Sequence, residues 1–125
     1  MLNNSQSDQT LAAILHFHET FNTHNVDAIM HLMSDDCVFE NTFPAPDGIR
    51  IVGHAAVREE WNALFRDSPD AIFIIEEAFA AGDRGVIRWK YTWGLPPESG
   101  GHVRGVDILR VRDGKIDEKL SYVKG

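Results

Sequence analysis

The second half of the chain carries the patterns of β-strands and no helical one. The clearest is the run Val86–Trp93, whose residues alternate between two faces. One face carries Ile87, Trp89, Tyr91 and Trp93, and the other carries Arg88, Lys90 and Thr92. Similar runs occupy residues 71–80, 102–112 and 115–123, and Gly82-Asp83 and Asp113-Gly114 are typical hairpin turns. These runs predict four consecutive antiparallel strands.

The first half of the chain predicts helices. The first runs from about Gln9 to His24, and Asn25 then caps a short second helix, VDAIMHLM. A third spans Gly53–Phe65. The face that the first helix turns to the core is predicted to carry Leu11, Ile14, Leu15, His18, Phe21 and Asn22.

Between the second and third helices the chain predicts one short strand. Ser34-Asp35-Asp36 is predicted as a turn, Cys37–Glu40 as a strand and NTFPAPDGIR as a loop. Helices followed by a run of antiparallel strands predict an α+β fold with the helices packed on one face of the sheet.

Length and composition are those of one globular domain. The 125 residues suffice for a single core, and we expect a flexible tail at 1–8 before a domain at 9–125. Apolar runs stay short of the roughly 18 residues of a membrane span, and MLNNSQSDQ does not resemble a secretory signal. The single cysteine, Cys37, forms no internal disulfide. A cytoplasmic protein without a membrane partner is therefore expected.

Charge and motifs exclude several other partners. The net charge is −7 and the basic residues are scattered, so no nucleic acid is expected. His16 and His18 diverge on a helix, and the chain lacks the HExxH and paired-cysteine motifs of metal sites. Phosphate-binding and dinucleotide-binding glycine motifs are also absent. We therefore predict no metal and no cofactor.

The three large aromatics on one face of the strand Val86–Trp93 have two interpretations. They form either an ordinary core of large side chains or one wall of a ligand cavity, to which Trp89, Tyr91 and Trp93 offer polar tips.

The order of the elements and four motifs resemble the nuclear transport factor 2-like superfamily, in particular its SnoaL-like branch. The motifs are FNTHNVDAIMHLMSDDCVFEN, GHAAVREEW, VDILRVRDGKI and EKLSY. The resemblance implies a cone in which a curved antiparallel sheet wraps about three helices around a deep, mostly apolar pocket. It also implies a small-molecule ligand, but not a particular reaction.

Ketosteroid isomerase is one member of the superfamily against which the pocket can be tested. It needs a carboxylate base, a tyrosine and a protonated aspartic acid. By motif matching, these positions fall on Asn41, Phe17 and Asp107. Since an amide and a phenyl ring replace two of the three proton-handling groups, we reject ketosteroid isomerisation.

Asp107 is the leading candidate for acid/base chemistry. SnoaL-like cyclases, which the chain resembles, use an aspartate at or near this position, and the resemblance points Asp107 into the pocket. Lys119 on the neighbouring strand is its predicted cation, although apolarity alone would favour Tyr122 rather than Lys119 facing inward. The alternatives are a purely structural carboxylate and a solvated lysine.

Other activities of the superfamily fit less well or stay open. Epoxide hydrolases use an Asp-Arg-Asp arrangement, but Arg104 and Asp107 lie three apart and face opposite sides of a strand. Dehydratases use pocket histidines, for which His18 is the best placed, with a buried core histidine as the alternative.

The predicted function is cofactor-free acid/base isomerisation, cyclisation or dehydration of an apolar oxygenated metabolite, polyketide-like or steroid-like. Asp107 moves the proton, and Lys119, Tyr91 and Asn41 position an oxygen. Predicted ligand-binding residues are Phe17, His18, Phe21, Glu40, Trp61, Trp89, Trp93 and Leu109. The alternative is a non-catalytic binding protein, so whether the chain is an enzyme stays open.

The outer face of the sheet predicts a homodimer. Val106 and Ile108 form an apolar strip there, flanked by Arg104 and Arg110. The alternative is an ordinary mixed surface.

Overall fold

The computed structural model describes residues 5–94 and 100–125. Three helices and six strands follow one another in the order α1 (Ser5–Phe21), α2 (Val26–His31), β1 (Met33–Glu40), β2 (Arg50–Val52), α3 (His54–Asp67), β3 (Ile72–Ala81), β4 (Arg84–Trp93), β5 (Gly101–Arg112) and β6 (Lys115–Val123). The predicted α+β class and the four C-terminal strands are confirmed. Most of the predicted β4–β5 loop, residues 95–99, lies outside the described residues.

The six strands form one open sheet in the order β2-β1-β6-β5-β4-β3. The sheet is mixed rather than wholly antiparallel as predicted, because β1 runs parallel to β6, with Phe39 opposite Lys119. Hairpin turns fix the direction only of strands that are neighbours in sequence. The elements β2, α3, β3, β4 and β5 separate β1 from β6 along the chain, so no turn fixes the relative direction of these two strands.

The first half of the chain also differs from the prediction in where several elements begin and end. α1 begins at Ser5, since the Ser7 hydroxyl accepts a hydrogen bond from the Gly82 amide and anchors this end to the β3–β4 turn. The segment Ser34–Asp36, predicted as a turn, belongs to β1, where the pairing with β6 shifts register between Met33 and Val38. The end of the predicted loop 41–50 enters the short edge strand β2.

The core lies between the helices and the inner face of the sheet. Its largest fully buried side chains include Trp61, Phe17, Ile14, Ile29, Met30, Met33, Ile87 and Leu109. Burying these side chains supplies the main stabilising free energy, roughly 1.5–3 kcal/mol for each large apolar side chain. The packing sets α1 against β3, β4 and β5 and sets α3 against β1, which brings one face of each helix over the sheet.

Gly105 allows the sheet to accept a large ring on its inner face. A Cβ atom there would lie 2.6 Å from Cη2 of Trp89 and 2.3 Å from the backbone oxygen of Tyr122. Only glycine fits between the indole and the neighbouring strand. Trp89 therefore lies close against β5, directly opposite Gly105 in the β4–β5 ladder.

Candidate functional site

Asp107 lies at the centre of a buried polar cluster on the inner face of the sheet. Its carboxylate accepts a hydrogen bond from the Ser121 hydroxyl at 2.7 Å and lies 3.1 Å from His18 Nε2 and 3.2 Å from Lys119 Nζ. Lys119 Nζ in turn lies 3.1 Å from Ser121 Oγ. The side chains of Asp107 and Lys119 are 1% and 8% exposed, so the cluster is an ion pair removed from water.

Strand register explains how the cluster forms. Asp107 on β5 pairs with Ser121 on β6, and Leu109 pairs with Lys119. Residues two apart on a strand share a face, so Lys119 and Ser121 both reach Asp107. Helix α1 crosses the same face and brings His18 from the other side, 89 residues away in sequence.

The cluster keeps Asp107 ionised. Burial alone would raise the pKa of this carboxyl, but the positive charge of Lys119 and the hydrogen bonds from His18 and Ser121 outweigh burial. The net effect lowers the pKa of Asp107 well below its ordinary value of 3.8. A carboxylate that holds its charge so firmly is a poor proton acceptor at neutral pH.

A cavity of about 450 Å³ opens beside this cluster, between α3, the segment after β1 and the sheet. It is lined by Phe21, Phe39, Asn41, Thr42, Phe43, Glu60, Trp61, Ala63, Leu64, Asp67, Phe73, Trp89, Tyr91, Val103, Lys119, Ser121 and Val123. Lys119 and Ser121 line it, whereas Asp107 does not. Its volume lies within the roughly 300–1,000 Å³ of small-molecule sites.

The ammonium of Lys119 meets aromatic rings on its cavity side. Its Nζ lies 4.7 Å from the centre of the Phe39 ring and 5.7 Å from that of Phe21. Such cation–π contacts hold the ammonium without neutralising it. The cluster therefore presents a fixed cation to the cavity, with the counter-charge behind it.

Half of the predicted site residues line this cavity, namely Asn41, Phe21, Trp61, Trp89, Tyr91 and Lys119. The others lie elsewhere. Phe17 and Leu109 are core residues with no exposed surface, and His18 is buried against Asp107. Glu40 pairs with Arg50 at 2.8 Å, and the ring of Trp93 packs on Gly101.

Asn41 has a structural partner that its sequence did not reveal. Its side-chain oxygen accepts a hydrogen bond from the backbone N–H of Ile49 at 2.7 Å, and its backbone N–H donates to the Ile49 carbonyl at 3.1 Å. These bonds join the two ends of the loop between β1 and β2. Asn41 therefore shapes the cavity mouth, and its side-chain oxygen is already engaged.

Two buried nitrogens lack hydrogen-bond partners within residues 5–94 and 100–125. They are Nδ1 of His18 and Nε1 of Trp89. Buried polar groups are normally paired. Trp89 belongs to the cavity wall, but its indole nitrogen has almost no accessible surface.

Sequence reasoning missed several wall residues. Phe39 and Phe73 lie on inward positions of β1 and β3, and their alternation could have identified them. Glu60 carried no such signal, because α3 has three consecutive polar residues, Arg58-Glu59-Glu60, before Trp61. Among the described residues, no group of three or more His, Cys, Asp or Glu side chains is placed to hold a metal ion.

The model of the SnoaL-like domain family matches residues 14–119. A solved protein of unknown function from Mesorhizobium loti, described as NTF2-like, is 42% identical, with a TM-score of 0.81 over 100% of this chain and 97% of that one. No functionally curated protein matches the chain.

More distant structures share the fold. A protein from Kribbella flavida, provisionally described as a ketosteroid isomerase, is 20% identical with a TM-score of 0.79, covering 96% of this chain and 81% of that one. One from Jannaschia sp., provisionally described as a SnoaL-like polyketide cyclase, is 16% identical with a TM-score of 0.79, covering 99% and 91%.

Proposed function

Because the chain belongs to the SnoaL-like domain family, we propose that it binds an apolar, oxygenated metabolite in the cavity beside Lys119 and performs acid/base chemistry on it. The reaction is an isomerisation, cyclisation or dehydration carried out by the protein's own side chains. One observation carries the proposal: Lys119 presents a buried, ion-paired cation to a cavity whose wall includes seven aromatic rings.

Lys119 is the group that contacts the ligand oxygen. Its ammonium has three donors, and Asp107 and Ser121 engage its buried side. A carbonyl or enolate oxygen in the cavity would take a remaining donor. The interaction strengthens as negative charge develops on that oxygen during the reaction, which is the condition for accelerating a reaction rather than only binding its substrate.

Asp107 then positions Lys119 instead of moving the proton. The carboxylate lies behind the ammonium, does not line the cavity and has a lowered pKa. This differs from the role predicted from sequence. Ketosteroid isomerisation stays rejected, because Phe17 is a fully buried core residue and Asn41 holds a loop.

The walls favour a planar, apolar ligand body. Phe21, Phe39, Phe73, Trp61, Trp89 and Tyr91 all line the cavity, and their rings contact one another in tilted or edge-to-face arrangements. Polyketide-like and steroid-like molecules combine fused rings with oxygen substituents, so they match this wall and its single lysine.

The test uses 4-nitrophenolate, a small aromatic anion, and compares Lys119→Met with Lys115→Met. Lys115 is an exposed lysine on the same strand and is the matched control. We expect Lys119→Met to weaken binding at least about tenfold, which corresponds to about 1.4 kcal/mol, and Lys115→Met to leave it unchanged. Equal binding by both variants would overturn the proposal. Nitrobenzene, which lacks the anionic oxygen, should bind both alike.

A non-catalytic binding protein is the second candidate. It is favoured by the low pKa of Asp107, which removes that carboxylate as a proton acceptor. The two candidates differ in the fate of the ligand. A metabolite recovered unchanged after prolonged incubation supports binding alone, whereas an isomer or a dehydrated product supports the enzyme.

We also propose a homodimer formed by the outer face of the sheet. Val106 and Ile108 are half-buried there, and Tyr122 beside Val106 is 53% exposed. Arg104 pairs with Glu76, and Arg110 pairs with Asp117. The charged residues around the apolar strip are therefore already neutralised, which suits burial against a second copy.

A cytoplasmic location completes the proposal. Cys37 is a free, fully buried thiol, and burial raises its pKa to about 11. Such a thiol is unreactive and suits a reducing compartment. Separately, no helix of the described residues has the length and apolarity to cross a membrane.

A further inference from the structure

Lys119 can bind the oxygen of a substrate, but the group that removes a proton from the substrate has still to be identified. An enolising reaction also needs a base that faces the substrate carbon. Asp107 is shielded from the cavity by Lys119, so another group must serve. Among residues 5–94 and 100–125, the remaining cavity-lining side chains that titrate are Glu60, Asp67 and Tyr91.

Glu60 has the required position. It lies on α3 immediately before Trp61, whose ring is 5.5 Å from that of Phe39. Lys119 contacts the same Phe39 ring from the sheet. Glu60 and Lys119 therefore belong to opposite walls of one cavity, the first on the helix and the second on the sheet.

Glu60 is also free to act. It is half-buried, and among the described residues it has no hydrogen-bond or ion-pair partner. Asp67, by contrast, is exposed at the end of α3 and lies 3.6 Å from Arg66. Tyr91 is a phenol, which serves better as a donor than as a base at neutral pH.

Resting on the function proposed above, we infer that Glu60 is the catalytic base and that the substrates are carbon acids, carbonyl compounds with a hydrogen on the adjacent carbon. The Glu60 carboxylate takes this proton. The C–H electron pair forms a C=C bond, and the carbonyl π pair moves to the oxygen, which becomes an enolate beside Lys119. Where a C=C bond follows the acidic carbon, the enolate is a dienolate, and return of the proton to its far carbon shifts that C=C bond and completes an isomerisation, with no oxidant or co-reactant.

A generic carbon acid tests Glu60 without knowledge of the natural substrate. In 5-nitrobenzisoxazole, removal of the ring C–H proton breaks the N–O bond and gives a cyanophenolate, which is coloured. The adjacent Glu59 is exposed and does not line the cavity, so Glu59→Gln is the matched control for Glu60→Gln.

We expect Glu60→Gln to lower the elimination rate about 100-fold and Glu59→Gln to leave it unchanged. Equal rates in the two variants would overturn the inference. So would a wild-type rate no greater than that of acetate at the same carboxylate concentration.

Phenolate binding separates this inference from the function on which it rests. Glu60→Gln should still bind 4-nitrophenolate, because Lys119 is intact. If binding depends on Lys119 but elimination does not depend on Glu60, only the inference fails. If binding does not depend on Lys119 either, the proposed function fails as well.

Discussion

Lys119 lies between Asp107 and the cavity. Its Nζ is 3.2 Å from the Asp107 carboxylate, and its other side belongs to the cavity wall. A ligand that enters the cavity therefore meets the lysine, whereas the aspartate fixes the lysine from behind. This relationship distinguishes the roles of the two residues.

Asp107→Asn should destabilise the protein strongly at neutral pH. Removing one partner of a buried ion pair leaves Lys119 uncompensated, which typically costs about 3–5 kcal/mol. Chemical denaturation at pH 7 measures the loss. Asp113→Asn is the matched control, because Asp113 is an exposed turn residue with a positive φ that asparagine also adopts. A similar stability for the two variants would contradict the account.

The penalty of Asp107→Asn should shrink in acid. The folded state lowers the pKa of Asp107 below 3.8, so the carboxylate stabilises the wild type above the unfolded pKa. This stabilisation is lost as the pH falls from about 4 towards the lower folded value. Thermal unfolding of both proteins from pH 7 downwards should show the melting temperatures converging below about pH 4. A constant difference would mean that Asp107 is not held ionised.

Gly105→Ala should be more destabilising than Gly85→Ala. A Cβ at position 105 meets the backbone oxygen of Tyr122 at 2.3 Å, whereas a Cβ at position 85 first meets the terminal Cδ1 of Ile14 at 2.4 Å. Backbone cannot yield as a side-chain end can, so we expect about 3 kcal/mol for Gly105→Ala and less for Gly85→Ala. Urea unfolding measures both. The reverse order would contradict the packing described.

Two substitutions of Asn41 test whether its side-chain amide holds the loop or contacts the ligand. Asn41→Asp keeps the oxygen that accepts from the Ile49 amide, so we expect it to retain stability and the binding of nitrobenzene, a neutral probe that the new carboxylate does not repel. Asn41→Ala removes the acceptor and should cost about 1 kcal/mol. If Asn41→Asp lost binding as severely as Asn41→Ala, the side-chain N–H₂ would be contacting the ligand, as the sequence had suggested.

Two exposed apolar positions, one inside the proposed dimer interface and one outside it, allow a matched test of the dimer. Tyr122 is 53% exposed on the outer sheet face, and Val52 is 61% exposed on the edge strand β2. Sedimentation should find Tyr122→Glu monomeric and Val52→Glu dimeric. A monomeric wild type would exclude the dimer at the concentration used.

Strand alternation predicted much of the site. It placed Trp89 and Tyr91 on one face, and the structure finds both in the cavity wall. The resemblance placed Lys119 inward, although the apolar character of Tyr122 favoured the opposite facing of the strand. In the structure Lys119 is buried and Tyr122 is exposed. These residues lie on consecutive hairpin strands, whose register follows from local turns.

The remaining features depend on packing that no local pattern encodes. Whether Asp107 or Lys119 meets the cavity is decided by side-chain length and by α1, which closes over Asp107 with His18. The parallel pairing of β1 with β6 and the wall position of Glu60 likewise follow from how distant segments meet. For the same reason Trp93, although in phase with Trp89, packs on Gly101 outside the cavity wall.

A crystal structure with 4-nitrophenolate tests the central claim most directly. We expect the phenolate oxygen within hydrogen-bond distance of Lys119 Nζ, the ring among Phe39, Trp61 and Trp89, and Asp107 still paired with Lys119. A phenolate bound with its oxygen away from Lys119 would contradict this expectation, as would a phenolate located in a separate cavity of about 450 Å³ that Glu40 and Arg50 line.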